Sequence, residues 1–358
     1  MTSDIAGYDD WPAVVRARPV VSGDALTTAV GRALGVPSPE PGPVEVGERS
    51  TGDGVERTEL SWDTGFGPRT RAWYLRPEGA GDAVLPGVLA LHCHANVKAV
   101  GAERLVGTSR PVAADLQREL YGGRPLAEGL ARAGFAVLAH DTFGWGSRRF
   151  ALDPLPRRVD RWLRQEDREL ADPDRRYDAA ASLHEGTAAK YAGVLGTSMA
   201  GMAAHDDLVA LHHLRALPGV DAERVAVTGF SGGGGRSAVL TALDPTIRAS
   251  AIVCMMSTFA ALLPEHLDAH SWYLAVPGLP AVLDWPEVAL GRGAHDQLVV
   301  YAEDDELFPR DGMAAADRLL RERFAAGRYE SAWYPGPHRF DTDMQDRVTG
   351  FLTASLAR

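Results

Sequence analysis

Residues 224–237 read RVAVTGFSGGGGRS, and this stretch decides the fold. The run Arg224–Thr228 has the Val/Ala character of a strand buried on both faces of a parallel sheet. Gly229-Phe230-Ser231-Gly232-Gly233 then fits G-x-S-x-G, and a helical segment follows over about 234–243. Strand, tight turn and helix in that order form a nucleophile elbow, which holds a serine on a strained turn with its hydroxyl exposed. Glycine is needed there because strand and helix approach too closely for side chains. A nucleotide-binding loop is the competing reading of a Gly-rich turn. It fails here for want of a Walker lysine, and for want of G-x-G-x-x-G with an acidic residue about 20 positions on.

A serine hydroxyl is a poor nucleophile until a base takes its proton, and the base needs an orienting acid. Behind such an elbow the chain order is serine, acid, histidine. Downstream of Ser231, the strand-like run Gln297–Tyr301 ends in AEDDELFP (302–309), and Tyr329–Tyr334 ends in PGPHRF (335–340). Asp304 and Asp305 are therefore the acid candidates and His338 the base. Each lies just past the C-terminal end of a strand, where open α/β sheets place their ligands. His266 and His270 fall within or near a helical segment and His295 precedes a strand, so they compete weakly.

Acyl transfer also requires N–H donors for the oxyanion. The backbone of Gly232 supplies one. The loop after the strand Pro86–His92 reads HCHAN (92–96) and supplies the other, placed on the backbone of His94 with Ala95 next in line. His92 and His94 could instead be metal ligands, but no third ligand presents itself, so no metal or cofactor is expected.

Further out, Gly134–His140 and Ala249–Cys254 complete the strand-like runs. Helical patterns separate the runs at about 124–133, 197–217, 234–243, 258–268, 311–326 and 341–357. Such alternation predicts right-handed βαβ units and a mostly parallel, doubly wound sheet with helices on both faces. Before residue 80, a helix is expected over 24–35. Val55–Trp62 and Thr70–Leu75 alternate apolar and polar as two antiparallel edge strands would. We read 1–358 as a single domain with 1–80 as its N-terminal extension. The charged stretch 146–196 is expected to make a solvated helix pair, with a partial lid as the second reading.

The 45% hydrophobic residues suffice for a sizeable core, and the net charge of −11 argues against nucleic acid or an anionic membrane as partner. Two cysteines, Cys93 and Cys254, exclude a disulfide scaffold and read best as small buried residues at strand ends. The N-terminus lacks the basic and apolar regions of a signal peptide, and no stretch approaches the roughly 18 apolar residues of a spanning helix. A soluble cytoplasmic protein is the expectation. Oligomeric state is left open.

From about residue 85 onward the chain resembles the α/β hydrolases related to dienelactone hydrolases and acetyl xylan esterases. The segments that carry this are ALHCH near 90, LAEGLARAGFAVLAHDTFGWGSR (126–148), the region 195–237, AVPGLPAVLDWPEVA (275–289) and AEDDELFP (302–309). The family's G-x-x-D-x-x-x-P-like segment maps onto Ala302, Asp305 and Pro309, which selects Asp305 over Asp304. The resemblance implies hydrolysis of small-molecule esters, commonly removal of acetate, without a cofactor. Amide, lactone or thioester hydrolysis, or acyl transfer, would use the same apparatus. The chain departs from the family where Cys93, Ala95 and Asn96 replace a glycine-rich run. Trp145, Met255, Met256, Trp272, Tyr273 and Phe308 are candidate pocket walls, on their loop positions alone. Loss of a triad member would favour a non-catalytic binding protein; Ser231, Asp305 and His338 are all present.

Overall fold

The computed structural model describes residues 24–165, 172–263, 265–291 and 295–357. Nine strands form one sheet: β1 (Glu45–Gly52), β2 (Val55–Trp62), β3 (Thr70–Pro77), β4 (Leu85–Leu91), β5 (Ala136–His140), β6 (Val220–Phe230), β7 (Ala249–Val253), β8 (Asp296–Ala302) and β9 (Tyr329–Tyr334). Their spatial order is β1-β2-β3-β5-β4-β6-β7-β8-β9. The pairs from β5 to β9 are parallel, whereas β1/β2, β2/β3 and β3/β5 are antiparallel.

Alternation within the central strands fills both faces, as the apolar runs predict. On one face Val88, Ala90, Val137, Ala139, Ala226, Ala251, Val300 and Ala302 join a core cluster. That cluster is closed by α3 (Leu126–Arg132) and α9 (Thr342–Leu356), the latter through Met344, Val348, Phe351, Leu352 and Leu356. This spacing of four, three, one and four puts all five side chains on one helical stripe. The opposite face, with Leu89, Leu91, Leu138, Val227, Ile252 and Val299, packs under α1 (Asp24–Leu34), α6 (Met199–Ala216), α7 (Gly232–Leu243) and α8 (Arg310–Arg323). Both cysteines are free and buried. Among the described residues, no helix is long and apolar enough to cross a membrane.

Three expectations need correction. The segment 258–268 is not one helix: a single turn at Phe259–Leu262 is followed by a short 3-10 turn at Leu267–Ala269. Pro264 lies between them in the sequence and cannot donate the N–H that a continuing helix requires. The extension contributes three strands, not two. The extra one, β1, is exposed along nearly its whole length, so it carries no apolar alternation and depends on pairing with β2. Helix α2 (Pro111–Leu120) was also missed by periodicity. The charged stretch forms α4 (Arg157–Gln165) and α5 (Pro173–Val194), and residues 166–171 between them lie outside the described ones.

Candidate active site

Ser231 stands between β6 and α7 with φ 54° and ψ −123°, a backbone conformation that L residues rarely hold. Its N–H donates to Val253 O at 2.8 Å, which ties the turn to β7, and its carbonyl accepts from Gly235 N. Among the described residues, five non-glycine residues have positive φ. Four of them, Ala95, Asn96, Ser231 and Cys254, follow the C-terminal ends of β4, β6 and β7. Backbone strain is thus concentrated at the C-terminal ends of the central strands. Gly233 is required for space: a Cβ there would collide with the carbonyl of Leu91.

His338 follows β9, and its Nδ1 lies 2.7 Å from Asp305 Oδ2. The other oxygen, Oδ1, accepts from Leu307 N at 3.0 Å. The Asp305 side chain is fully buried and that of His338 nearly so. Asp304 faces elsewhere: its carboxylate accepts from Gly336 N, and its own N–H donates to Gly336 O. It thereby fastens the 304 loop to the 336 loop. His338 Nε2 is buried and has no hydrogen-bond partner among the described residues, an orphan of the kind that functional sites retain. The ring packs 4.7 Å from that of Phe230, the neighbour of Ser231. Cys254 also converges on Asp305 and His338, with the ligand atoms within 4.8 Å of one another. The 2.7 Å Nδ1–Oδ2 separation is a hydrogen bond and leaves no room for an ion between those two atoms.

The loop after β4 comes up against the elbow. A Cβ on Gly232 would stand 3.1 Å from the backbone nitrogen of His94. Neither the His94 N–H nor the Gly232 N–H hydrogen-bonds another described residue. The two backbones marked in the sequence as oxyanion donors are therefore neighbours with free N–H groups. His94 itself is clamped: Nδ1 accepts from Asn96 N at 2.9 Å, and Nε2 meets Glu185 Oε1 of α5 at 3.2 Å. Glu185 also reaches Lys98 Nζ at 3.3 Å, and Asp178 of α5 accepts from the N–H groups of Lys98 and Ala99, both at 2.7 Å. The insertion thus grips the loop that carries His94, a role the charged sequence 146–196 gave no sign of. His92 Nδ1 turns instead to Cys93 O, so the two imidazoles do not converge.

Trp145 is fully buried beneath this loop and donates from its indole N–H to His94 O at 3.3 Å. Tyr273 packs on both rings. Met255 and Tyr273 line a small cavity beside Gly232, together with Trp285 and Arg236, that has room for about one water molecule. Met256 lies in the core, Phe308 is buried against His270, and Trp272 is exposed. Two clefts of about 700 and 470 Å³ lie between the 149–155 loop, the insertion helices and β3, and Ser231 lines neither of them.

Burial holds several imidazoles neutral. It lowers His94, lowers His92 well below its usual range with help from Arg236 and Arg104, and takes His270 from 6.5 down to about 4. His270 donates from Nε2 to Leu307 O at 2.9 Å, close to the Asp305 turn. A histidine whose folded value is depressed leaves the unfolded chain binding the extra proton between about pH 4 and 6.5. Stability is therefore present above 6.5 and lost as pH falls through that window. At pH 5, His270 alone costs at most about 2 kcal/mol. Urea midpoints at pH 7 and pH 5 should differ less in His270→Gln than in the parent chain. An unchanged difference would exclude His270 as a source of acid lability.

No family model and no curated protein matches the chain in sequence. Solved structures do match in shape. An acetyl xylan esterase 1 from a Thermoanaerobacterium species aligns with 95% of this chain and 96% of its own, at 17% identity and a TM-score of 0.55. A glucuronoyl esterase from Solibacter usitatus aligns over 95% and 98%, at 14% identity and a TM-score of 0.60. An acetyl xylan esterase from a Paenibacillus species aligns over 96% and 99%, at 16% identity and a TM-score of 0.54. Likeness at such low identity shows architecture, and with the mostly parallel nine-stranded sheet it establishes that this chain has the α/β-hydrolase fold.

Proposed function

We propose that the chain is a serine hydrolase of carboxylic esters, with Ser231 as nucleophile, His338 as base and Asp305 as orienting acid. The observation that carries this reading is the strained elbow at Ser231, set beside two free backbone N–H groups. Ser231 Oγ attacks the ester carbonyl while His338 Nε2 takes its proton. The oxyanion is held by the N–H groups of Gly232 and His94. His338 then returns the proton to the leaving alcohol, and water, deprotonated by the same nitrogen, releases the acid from the acyl-enzyme. Asp305 fixes the tautomer in which Nδ1 carries hydrogen and Nε2 is free to accept.

Two of the solved structures that share the fold are named acetyl xylan esterases, which favours a short acyl group such as acetate. Two free buried thiols suit a reducing compartment, and we place the enzyme in the cytoplasm. The acidic chain gives nucleic acid no long-range attraction.

Hydrolysis of p-nitrophenyl esters of increasing chain length tests the reading. Acetate should be cleaved fastest, with rates falling as the acyl chain outgrows the pocket, and a fluorophosphonate should label Ser231. Failure of both turnover and labelling would refute it.

A further inference from the structure

Arg104 is fully buried, and no carboxylate lies within ion-pair distance of it among the described residues. An isolated buried charge is costly unless dipoles replace the water it loses. Here those dipoles belong to one loop. Nη1 donates to Cys93 O at 3.1 Å and to His94 O at 3.5 Å, Nη2 to Val97 O and Val100 O, and Nε to Gly101 O at 3.0 Å. The guanidinium therefore sits inside the loop that follows β4, and the carbonyls of Cys93, His94, Val97, Val100 and Gly101 converge on it.

We propose that Arg104 is a positioning residue for the oxyanion donor on His94; this rests on the hydrolase reading above. In a trans peptide the N–H points opposite to the C=O. Drawing Cys93 O toward Arg104 turns the N–H of the same peptide, that of His94, away from it. Gly232 stands beside that nitrogen: a Cβ built on it would lie 3.1 Å from His94 N. Cys93 O accepts a second bond from His92 Nδ1 at 3.0 Å. Two donors on one carbonyl polarise the peptide and strengthen the N–H at its other end as a donor. The same guanidinium holds the carbonyls that flank Ala95 and Asn96, both at positive φ, so the strained turn keeps its shape without substrate.

Arg104→Ala and Arg104→Lys in the full chain test this. An oxyanion effect appears in kcat, because the donor acts on charge that develops in the transition state. For Arg104→Ala we expect kcat on p-nitrophenyl acetate to fall roughly 10²-fold with KM little changed, on the scale of one lost oxyanion donor. Affinity for a trifluoromethyl ketone, which forms a tetrahedral oxyanion on the serine, should fall by a similar factor. Guanidinium ion at non-denaturing concentration should restore part of the kcat of the alanine variant, whereas urea should not. Arg104→Lys keeps the charge but satisfies fewer carbonyls, so a smaller kcat loss is expected; it also serves if the alanine variant does not fold. A folded variant with parental kcat and ketone affinity overturns the role of Arg104 alone. So does a fall in which kcat and KM change together with melting temperature and guanidinium rescues nothing. A parent chain that neither turns over esters nor labels at Ser231 refutes the hydrolase reading, and this role with it.

Discussion

Replacing Ser231 by alanine is expected to lower kcat on p-nitrophenyl acetate by on the order of 10⁵-fold and to abolish fluorophosphonate labelling, while leaving the protein folded. The size follows from a nucleophile that works as a unit with its base. Without Oγ there is no covalent intermediate, and what survives is the modest acceleration by binding and the oxyanion donors. Folding should be spared because the Ser231 hydroxyl makes no hydrogen bond to any described residue; the turn is held by its backbone, through Val253 O and Gly235 N. Alanine meets the same backbone penalty at φ 54° as serine does, so the strain is not increased. Melting curves of parent and variant should nearly superimpose. A folded variant that still hydrolyses the ester at a comparable rate would remove Ser231 from the chemistry and return the serine to a structural role.

The elbow was legible in the sequence because its constraint is local. A strand, a turn that excludes side chains and a helix leave a short glycine pattern, and Gly233 meets Leu91 O as that pattern demands. The central strands were legible for a related reason. Burial on both faces forces continuous apolar runs such as GVLAL and QLVVY, and these occupy β4 and β8. By contrast β1, solvated along its length, carries no such mark.

What surrounds the elbow was less legible because it depends on contacts distant in sequence. Arg104 reads as an ordinary charge in AERL, yet it is sealed inside the loop that carries His94. Glu185 lies 91 residues from the imidazole it meets, within a stretch whose many charges look alike. A signal for Arg104 did exist in principle: a single arginine next to apolar residues, just after a loop that needs its carbonyls gathered. Reading it required knowing that the loop folds back. Trp145 shows the converse, since a loop aromatic that looked like a pocket wall is wholly buried under His94.

The neighbouring aspartates separate most sharply by amide substitution. Asp305→Asn should lower kcat by about 10⁴-fold with little change in KM, while Asp304→Asn should leave kcat nearly intact. The asymmetry comes from the two oxygens of Asp305. Oδ1 takes the Leu307 N–H at 3.0 Å and Oδ2 faces His338 Nδ1 at 2.7 Å. An asparagine there keeps its carbonyl on the Leu307 N–H and presents its NH₂ to the imidazole. Nδ1 must then accept, the proton moves to Nε2, and the nitrogen meant to receive the serine proton already carries one. The carboxylate charge that would stabilise the imidazolium is lost as well. Among the described residues the Asp304 carboxylate accepts from Gly336 N alone, across two loops also joined by its own backbone N–H, so its amide costs one exposed contact. Steady-state kinetics on both variants, with melting temperatures alongside, decide the assignment. A large kcat loss in Asp304→Asn with Asp305→Asn active would move the acid one residue back along the chain and separate His338 Nδ1 from its role as the oriented end of the base.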